Sequence, residues 1–307
     1  AVANALTDDA MVERFHADPR VATVEYLLQE RIPLDVPVVD DLRQDESPSA
    51  PIDVATLDEP WPVPVDTATP ATHLLSNGAY TVLLSEAGGG WSALGDVAIT
   101  RWRPDETRDA DGTWIFVRDD RDGSVWSATP GPLPTRVQDD RVVFYPYKVE
   151  YQREFDGILT RLEVVVAKGA AELRRLTVVN RGATSRVLHV TSYAEVVLGS
   201  AAADARHPAF SKLFVESSFL AGRSAILFRR RPRSADEAAL FAAHAVVGRD
   251  DSAPCEYETD RAAFLGRGND VTTAVGPRGP LGGAGAAERA GAAGPAEWGA
   301  DGRQRRR

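Results

Sequence analysis

The segment SRVLHVTSYAEVVL, residues 185–198, alternates apolar and polar side chains at every second position. Successive side chains of a β-strand point to opposite faces, so this period predicts a strand with one buried face. The expected polar face holds His189, Thr191, Tyr193 and Glu195, opposite an apolar face that begins at Leu188. This segment therefore indicates a β fold.

Similar short runs extend from His73 to about Gly266, separated by turn signals such as Ser76-Asn77-Gly78. Asn and Gly tolerate the positive φ that tight turns require. No amphipathic segment of helix length lies between the runs, which favours an antiparallel sandwich over a parallel sheet. The runs are AYTVLLS (79–85), WIFV (114–117), SVW (124–126), RVVFYPYKVEYQREF (141–155), ILTRLEVVVAK (158–168), ELRRLTVVN (172–180), KLFVESSF (212–219), SAILFRRR (224–231) and LFAAHAVVG (240–248).

Composition excludes several classes of protein. The chain has 307 residues, of which 43% are hydrophobic and 26% charged, which is ordinary for globular domains. It has no apolar run long enough to span a membrane and no basic, apolar start typical of a secretory signal. A net charge of −10 argues against a nucleic-acid partner. A single cysteine, Cys255, allows no disulfide within the chain and no thiolate metal cluster.

The sequence divides into four regions. Residues 1–32 predict two short helices, interrupted by Pro19, that belong with a preceding region. Residues 33–71 form a proline-rich linker, and residues 72–266 form the sandwich. Residues 267–307 predict a disordered tail or an out-of-frame end of a truncated protein. This expectation rests on composition, because 17 of the last 32 residues are Gly or Ala.

One loop region combines residue types suited to sugar binding. Glycines let a backbone approach a ligand closely, a tryptophan face stacks on sugar C–H surfaces, and Arg and Asp hydrogen-bond to hydroxyls. The alternative is a glycine hairpin in which Trp91 and Trp102 are buried in the core and the charged side chains are solvated. The candidate residues are Gly88, Gly89, Gly90, Trp91, Arg101, Trp102, Arg103 and Asp109.

Other catalytic signatures are missing from the sequence. The five histidines show no metal-ligand spacing, and neither a Gly-x-Ser-x-Gly elbow nor a nucleotide-binding glycine motif is present. A sugar mutarotase would need a His and a Glu that converge on one face, for which His189 or His244 with Glu195 are the nominal candidates. Cys255 lies in an acidic stretch, which disfavours the thiolate. We expect no metal and assign no catalytic residue.

Several longer strings carry a family resemblance over about residues 73–265. They resemble, in order, the amino-terminal sandwich of glycoside hydrolase family ninety-four, formerly glycosyltransferase family thirty-six, in the version found in cyclic β-1,2-glucan synthases. From about Asn269 onward the family-like pattern is lost. The strings are LLSNGAYTVLLSEAGGGWSALGDVAITRWRPDETRDADGTWIFVRD (74–119), VWSATP (125–130), TRLEVVVA (160–167), LTVVNRG (176–182), VTSYAEVVL (190–198) and HPAFSKLFVE (207–216).

The resemblance implies a β-supersandwich, akin to mutarotase-like carbohydrate folds, followed by an (α/α)₆ barrel. In this family the barrel holds the general-acid aspartate and the site for inorganic phosphate, the co-substrate of the phosphorylases, and no cofactor is required. It also implies a β-glucan substrate, sandwich loops near the sugar, homodimer contacts, and a parent enzyme at the inner membrane with the sandwich on the cytoplasmic side. The alternatives are a stand-alone carbohydrate-binding or structural module and a mutarotase-like epimerase.

Overall fold

The computed structural model describes residues 17–21, 59–65, 69–103, 110–234, 237–248 and 255–281. In the described ranges from residue 59 to residue 281, the chain forms sixteen strands and three short α-helices. The strands are β1 Trp61–Val63, β2 Thr72–Ser76, β3 Tyr80–Ser85, β4 Gly90–Leu94, β5 Val97–Thr100, β6 Trp114–Asp119, β7 Val125–Ser127, β8 Asp139–Tyr145, β9 Lys148–Phe155, β10 Ile158–Val166, β11 Glu172–Asn180, β12 Leu188–Tyr193, β13 Val196–Gly199, β14 Val215–Leu220, β15 Ala225–Arg230 and β16 Leu240–Ala245. The helices are α1 Ala201–Arg206, α2 Pro208–Lys212 and α3 Arg261–Leu265, and 3-10 turns cover Ala221–Arg223 and Gly276–Arg278.

The strands pair antiparallel in four sheets, which confirms the mainly β, antiparallel fold predicted from the sequence. Two five-stranded sheets, β1-β8-β9-β10-β11 and β13-β5-β4-β3-β2, enclose one apolar core. Val82, Tyr151 and Leu162 in that core are fully buried. Alternating side chains of both sheets fill this space, as expected for two sheets packed face to face. We call this pair of sheets the packed sandwich.

Two three-stranded sheets complete the structure, and their orders are β12-β6-β7 and β14-β15-β16. Trp114 and Phe116 of β6 are buried against residues that follow α3, among them Val271 and Ala274. The ordered packing thus continues through Leu281, beyond the boundary at residue 266 expected above. The apolar side chains in 267–281 are few and small, yet they cover two large aromatic rings. Residues 282–307 lie outside the described residues.

The predicted strand over 185–198 is two strands. β12 ends at Tyr193 and pairs with β6, whereas β13 begins at Val196 and pairs with β5 of the packed sandwich. The expectation of a single strand with a buried apolar face was therefore wrong, and Val190 is 52% exposed. The reason is that the chain changes sheets at residues 194–195 without interrupting the two-residue period.

Contacts divide the chain into two units, Ala1–Asp53 and Val54–Arg307. Within the first unit only residues 17–21 are described; they are helical except for a bend at Asp18, whose carboxylate accepts hydrogen bonds from Arg20. The helices predicted elsewhere in residues 1–32 and most of the predicted linker lie outside the described residues. In the described part of the chain, no helix has the length and apolar character needed to cross a bilayer.

Candidate functional site

The Gly-Gly-Gly-Trp loop is the turn between β3 and β4, and its glycines are buried. Gly88 and Gly90 have φ values of +96° and +143°, which side chains other than glycine rarely adopt. A Cβ on Gly90 would overlap the carbonyl oxygen of Leu83, and one on Gly88 would overlap the Thr129 side chain. These glycines therefore permit close backbone packing, which corresponds to the hairpin alternative. Gly89 is buried between them.

The residues after β5 have the reverse of the burial that the hairpin alternative expects, which is solvated charges and a buried Trp102. Arg101 is only 3% exposed, whereas the Trp102 ring is 44% exposed and Arg103 is exposed. The backbone N–H of Arg103 donates to the half-buried Asp111 carboxylate, and burial raises the pKa of that carboxyl. Trp91 is partly buried on β4. Asp109, the last of the sequence candidates, lies outside the described residues.

Arg101 is held by two carboxylates. Its Nε and Nη2 donate to the two carboxylate oxygens of Asp204 in α1, each at 2.7 Å, and its Nη1 donates to Glu195. The backbone N–H of Arg101 also donates to the Glu195 carbonyl at 2.8 Å. Such a buried, bidentate pair fixes the guanidinium in one orientation. Arg101 thereby fastens the end of β5 to α1 and to the link between β12 and β13.

Glu195 is the centre of this charged group, which we call the Glu195 cluster: Arg101, Glu195, Asp204, Lys212 and Arg261. Arg261 Nε donates to Glu195 Oε1 at 2.6 Å, and Lys212 Nζ donates to Glu195 Oε2 at 3.3 Å. Burial alone would raise the pKa of Glu195, but the hydrogen bond from Arg261 and the charges of Lys212 and Arg101 lower it to about 2. The carboxylate is therefore ionised throughout the physiological pH range.

Tyr193 completes the surroundings of this carboxylate, because its hydroxyl donates to Glu195 Oε1 at 3.0 Å. Burial and the negative charge of Glu195 both raise the pKa of Tyr193, so the phenol keeps its proton. The Tyr193 ring stacks on Phe264 of α3 with 4.5 Å between ring centroids. Through Tyr193, the Glu195 cluster is thus attached to the apolar core around Phe264.

The Glu195 cluster borders a cavity of about 920 Å³ between β12, the sheet β14-β15-β16 and residues 255–261. His189 and His244 line the same cavity, so the structure brings together the three residues named for a mutarotase. Within the described residues, however, neither histidine hydrogen-bonds to Glu195; His189 Nε2 lies 3.4 Å from Asp120. Burial and the charge of Arg174 lower the pKa of His244. The ionised, fully engaged Glu195 is poorly suited to proton transfer.

Sequence reasoning missed the Glu195 cluster. Its members come from β5, the β12–β13 link, α1, α2 and α3, and no short spacing connects them. The only local signal was Glu195 on the expected polar face. Among the described residues, no group of three His, Cys, Asp or Glu side chains is arranged to hold a metal ion.

Residues 63–288 match the family model described as the glycosyl hydrolase 94 supersandwich domain. The chain belongs to this family. The match runs past Asn269, where sequence reasoning had ended the resemblance, and it agrees with the packing of residues 267–281. Within this supersandwich domain, β5 of the packed sandwich leads directly into Arg101 of the Glu195 cluster and then into the exposed Trp102.

Curated relatives share the supersandwich domain's sequence over only part of their length. The cyclic β-(1,2)-glucan synthase NdvB of Rhizobium meliloti (strain 1021) is 35% identical over 283 residues, which are 90% of this chain and 10% of that protein. The N,N'-diacetylchitobiose phosphorylases of Vibrio furnissii and Vibrio proteolyticus are each 25% identical, over 45% and 42% of this chain and 18% and 17% of their own lengths. The chain thus spans at most about a fifth of these relatives.

Proposed function

We propose that this supersandwich is the non-catalytic, sugar-associated domain of an enzyme that acts on β-linked glucans, in the manner of a cyclic β-1,2-glucan synthase. The observation that carries the proposal is the exposed pair Trp102 and Arg103, which directly follows the buried Arg101 in the chain. We call this pair the Trp102 edge. The similarity to a glucan synthase and to two phosphorylases of chitobiose supports a glycan as the substrate class.

The edge has the chemistry that a sugar requires. An indole ring stacks on the C–H face of a pyranose, and a guanidinium donates hydrogen bonds to hydroxyl groups. Arg101 is locked by Asp204 and Glu195, so the backbone that carries Trp102 and Arg103 is already ordered. A pre-ordered edge loses less conformational entropy when a ligand binds.

The proposal assigns binding to this chain and chemistry to another domain. In the mechanism that the family resemblance implies, a barrel aspartate protonates the glycosidic oxygen while inorganic phosphate attacks the anomeric carbon with inversion. The proposed partners are that barrel, a β-glucan and a second copy of the chain, and the cytoplasmic side of the inner membrane remains the predicted location. We expect no phosphate consumption when the purified chain is incubated with β-1,2-gluco-oligosaccharides; turnover would refute the division of roles.

The binding proposal is tested by calorimetric titration of the full chain with a β-1,2-linked glucotetraose, beside cellobiose and glucose. We expect selective binding of the tetraose that weakens about tenfold or more in Trp102→Ala and in Arg103→Ala. Trp61→Ala is the matched control, because Trp61 is also exposed, at 53%, but lies on the edge strand β1. Equal affinities in Trp102→Ala and the wild-type chain would overturn the assignment of this edge.

A further inference from the structure

We propose that the 920 Å³ cavity beside the Glu195 cluster is a second saccharide site, which holds a short neutral segment of a glucan chain. This inference rests on the proposed function for its substrate class, but it concerns different residues from the Trp102 edge. The volume lies within the range of about 300–1,000 Å³ that is typical of small-molecule sites.

Part of the cavity lining is apolar and aromatic. The rings of Phe219 and Tyr257 stack with 4.1 Å between centroids and 14° between planes, and both residues line the cavity. Val190, which is 52% exposed, and Ile226 lie on the same lining. A surface of this kind matches the C–H faces of sugar rings, which are the apolar part of a saccharide.

Another part of the lining is charged, and its Glu195 carboxylate is already paired with cations of the protein. Glu195 is shared by Arg101, Lys212 and Arg261, and Arg118 lies 3.9 Å from Asp120. Lys212 and Arg261 side chains are nevertheless 40% and 50% exposed, so they retain N–H groups that can donate to a ligand.

This combination selects the class of ligand. An anion would have to compete with Glu195 for the same cations, and an apolar ligand would strip water from charged groups at a large free-energy cost. A neutral polyol with C–H faces suits both kinds of lining residue, because its hydroxyls can pair with the charged groups and its rings can cover the aromatic groups. A short glucan segment has this composition.

The test uses the full chain and the β-1,2-linked glucotetraose as probe. Val190→Trp fills the cavity from an exposed position, and we expect it to weaken or abolish one of two binding events while the event at Trp102 remains. Val179→Trp is the matched control, since Val179 is 43% exposed on β11 and does not line the cavity. We expect the control to bind within about twofold of the wild-type chain.

A second variant covers the case in which Val190→Trp does not fold. Tyr257→Ser removes the stacked ring, and we expect about tenfold weaker binding at the cavity. Folded Val190→Trp or Tyr257→Ser with wild-type stoichiometry and affinity would overturn the cavity site, as would displacement of the tetraose by inorganic phosphate. Loss of binding in Trp102→Ala alone would instead leave only the Trp102 edge, so the two proposals fail separately.

Discussion

The packed sandwich and the outer sheet β14-β15-β16 show the same alternating sequence pattern but differ in burial. In the packed sandwich, Val82, Tyr151 and Leu162 are fully buried between two sheets. In the outer sheet, Phe241 is 59% exposed and Leu220 is 41% exposed. The difference shows that side chains are packed more tightly in the packed sandwich, whereas the cavity proposed above as a saccharide site lies beside the outer sheet.

The largest expected effect concerns the buried ion pair that fastens the end of β5, in the packed sandwich, to α1. Arg101→Met leaves the buried Asp204 carboxylate, which is 5% exposed, without its guanidinium partner. Breaking a buried pair in this way lowers the free energy of unfolding by about 3–5 kcal/mol. Arg181→Met is the control, because Arg181 pairs with Glu154 at 2.6 Å while 53% exposed, and we expect a change below about 1 kcal/mol. Urea denaturation measures both; equal losses would contradict the anchoring role of Arg101.

The next prediction compares one substitution in both regions. Leu162→Ala opens a cavity in the core of the packed sandwich, so we expect the free energy of unfolding to fall by about 2–5 kcal/mol. Leu220→Ala in β14 removes a side chain that is already 41% exposed, and we expect a loss below about 1 kcal/mol. Comparable losses in denaturant titrations would mean that the outer sheet is as tightly packed as the sandwich.

The third prediction concerns acid stability. The pKa of Glu195 is lowered from its ordinary value of 4.5 to about 2 in the folded chain. Its contribution to stability is therefore complete above pH 4.5 and is lost as the pH falls towards 2, a change of about 3 kcal/mol. Glu195→Gln should lack this part of the pH dependence in urea titrations at pH 6, 4 and 3. Parallel curves for the variant and the wild-type chain would contradict the assignment.

Much of the fold could be predicted from alternation and turn residues, as the strands β3, β6, β9, β10, β11, β14, β15 and β16 illustrate. The break between β12 and β13 could not, because the two-residue period continues across it while the strand partner changes. Residues 267–281 were assigned to the tail because the family-like pattern ended near Asn269 and the residues from Gly276 onward are rich in Gly and Ala. Packing against Trp114 and Phe116 is visible only in three dimensions.

The candidate site was less accessible to sequence reasoning. Hydropathy alone would expose an arginine and bury a tryptophan, but Arg101 is buried by its two carboxylate partners and Trp102 is left outside. The partners of Glu195 come from distant parts of the chain, and long-range ion pairs leave no fixed spacing. The glycines of the Gly88–Gly90 loop were candidates for close approach to a ligand, whereas in the structure Gly88 and Gly90 permit close packing against Thr129 and Leu83.

In our proposals, the Trp102 edge and the cavity bind a glucan, whereas the packed sandwich does not. Hydrogen–deuterium exchange of the full chain, with and without β-1,2-gluco-oligosaccharides, tests this difference most directly. Ligand contacts and the order they impose slow amide exchange locally. We predict slower exchange at residues 101–103, 187–196 and 255–261, with β8, β9 and β10 unchanged. Slower exchange centred on β8–β10, or no change at a saturating glucan concentration, would contradict the account.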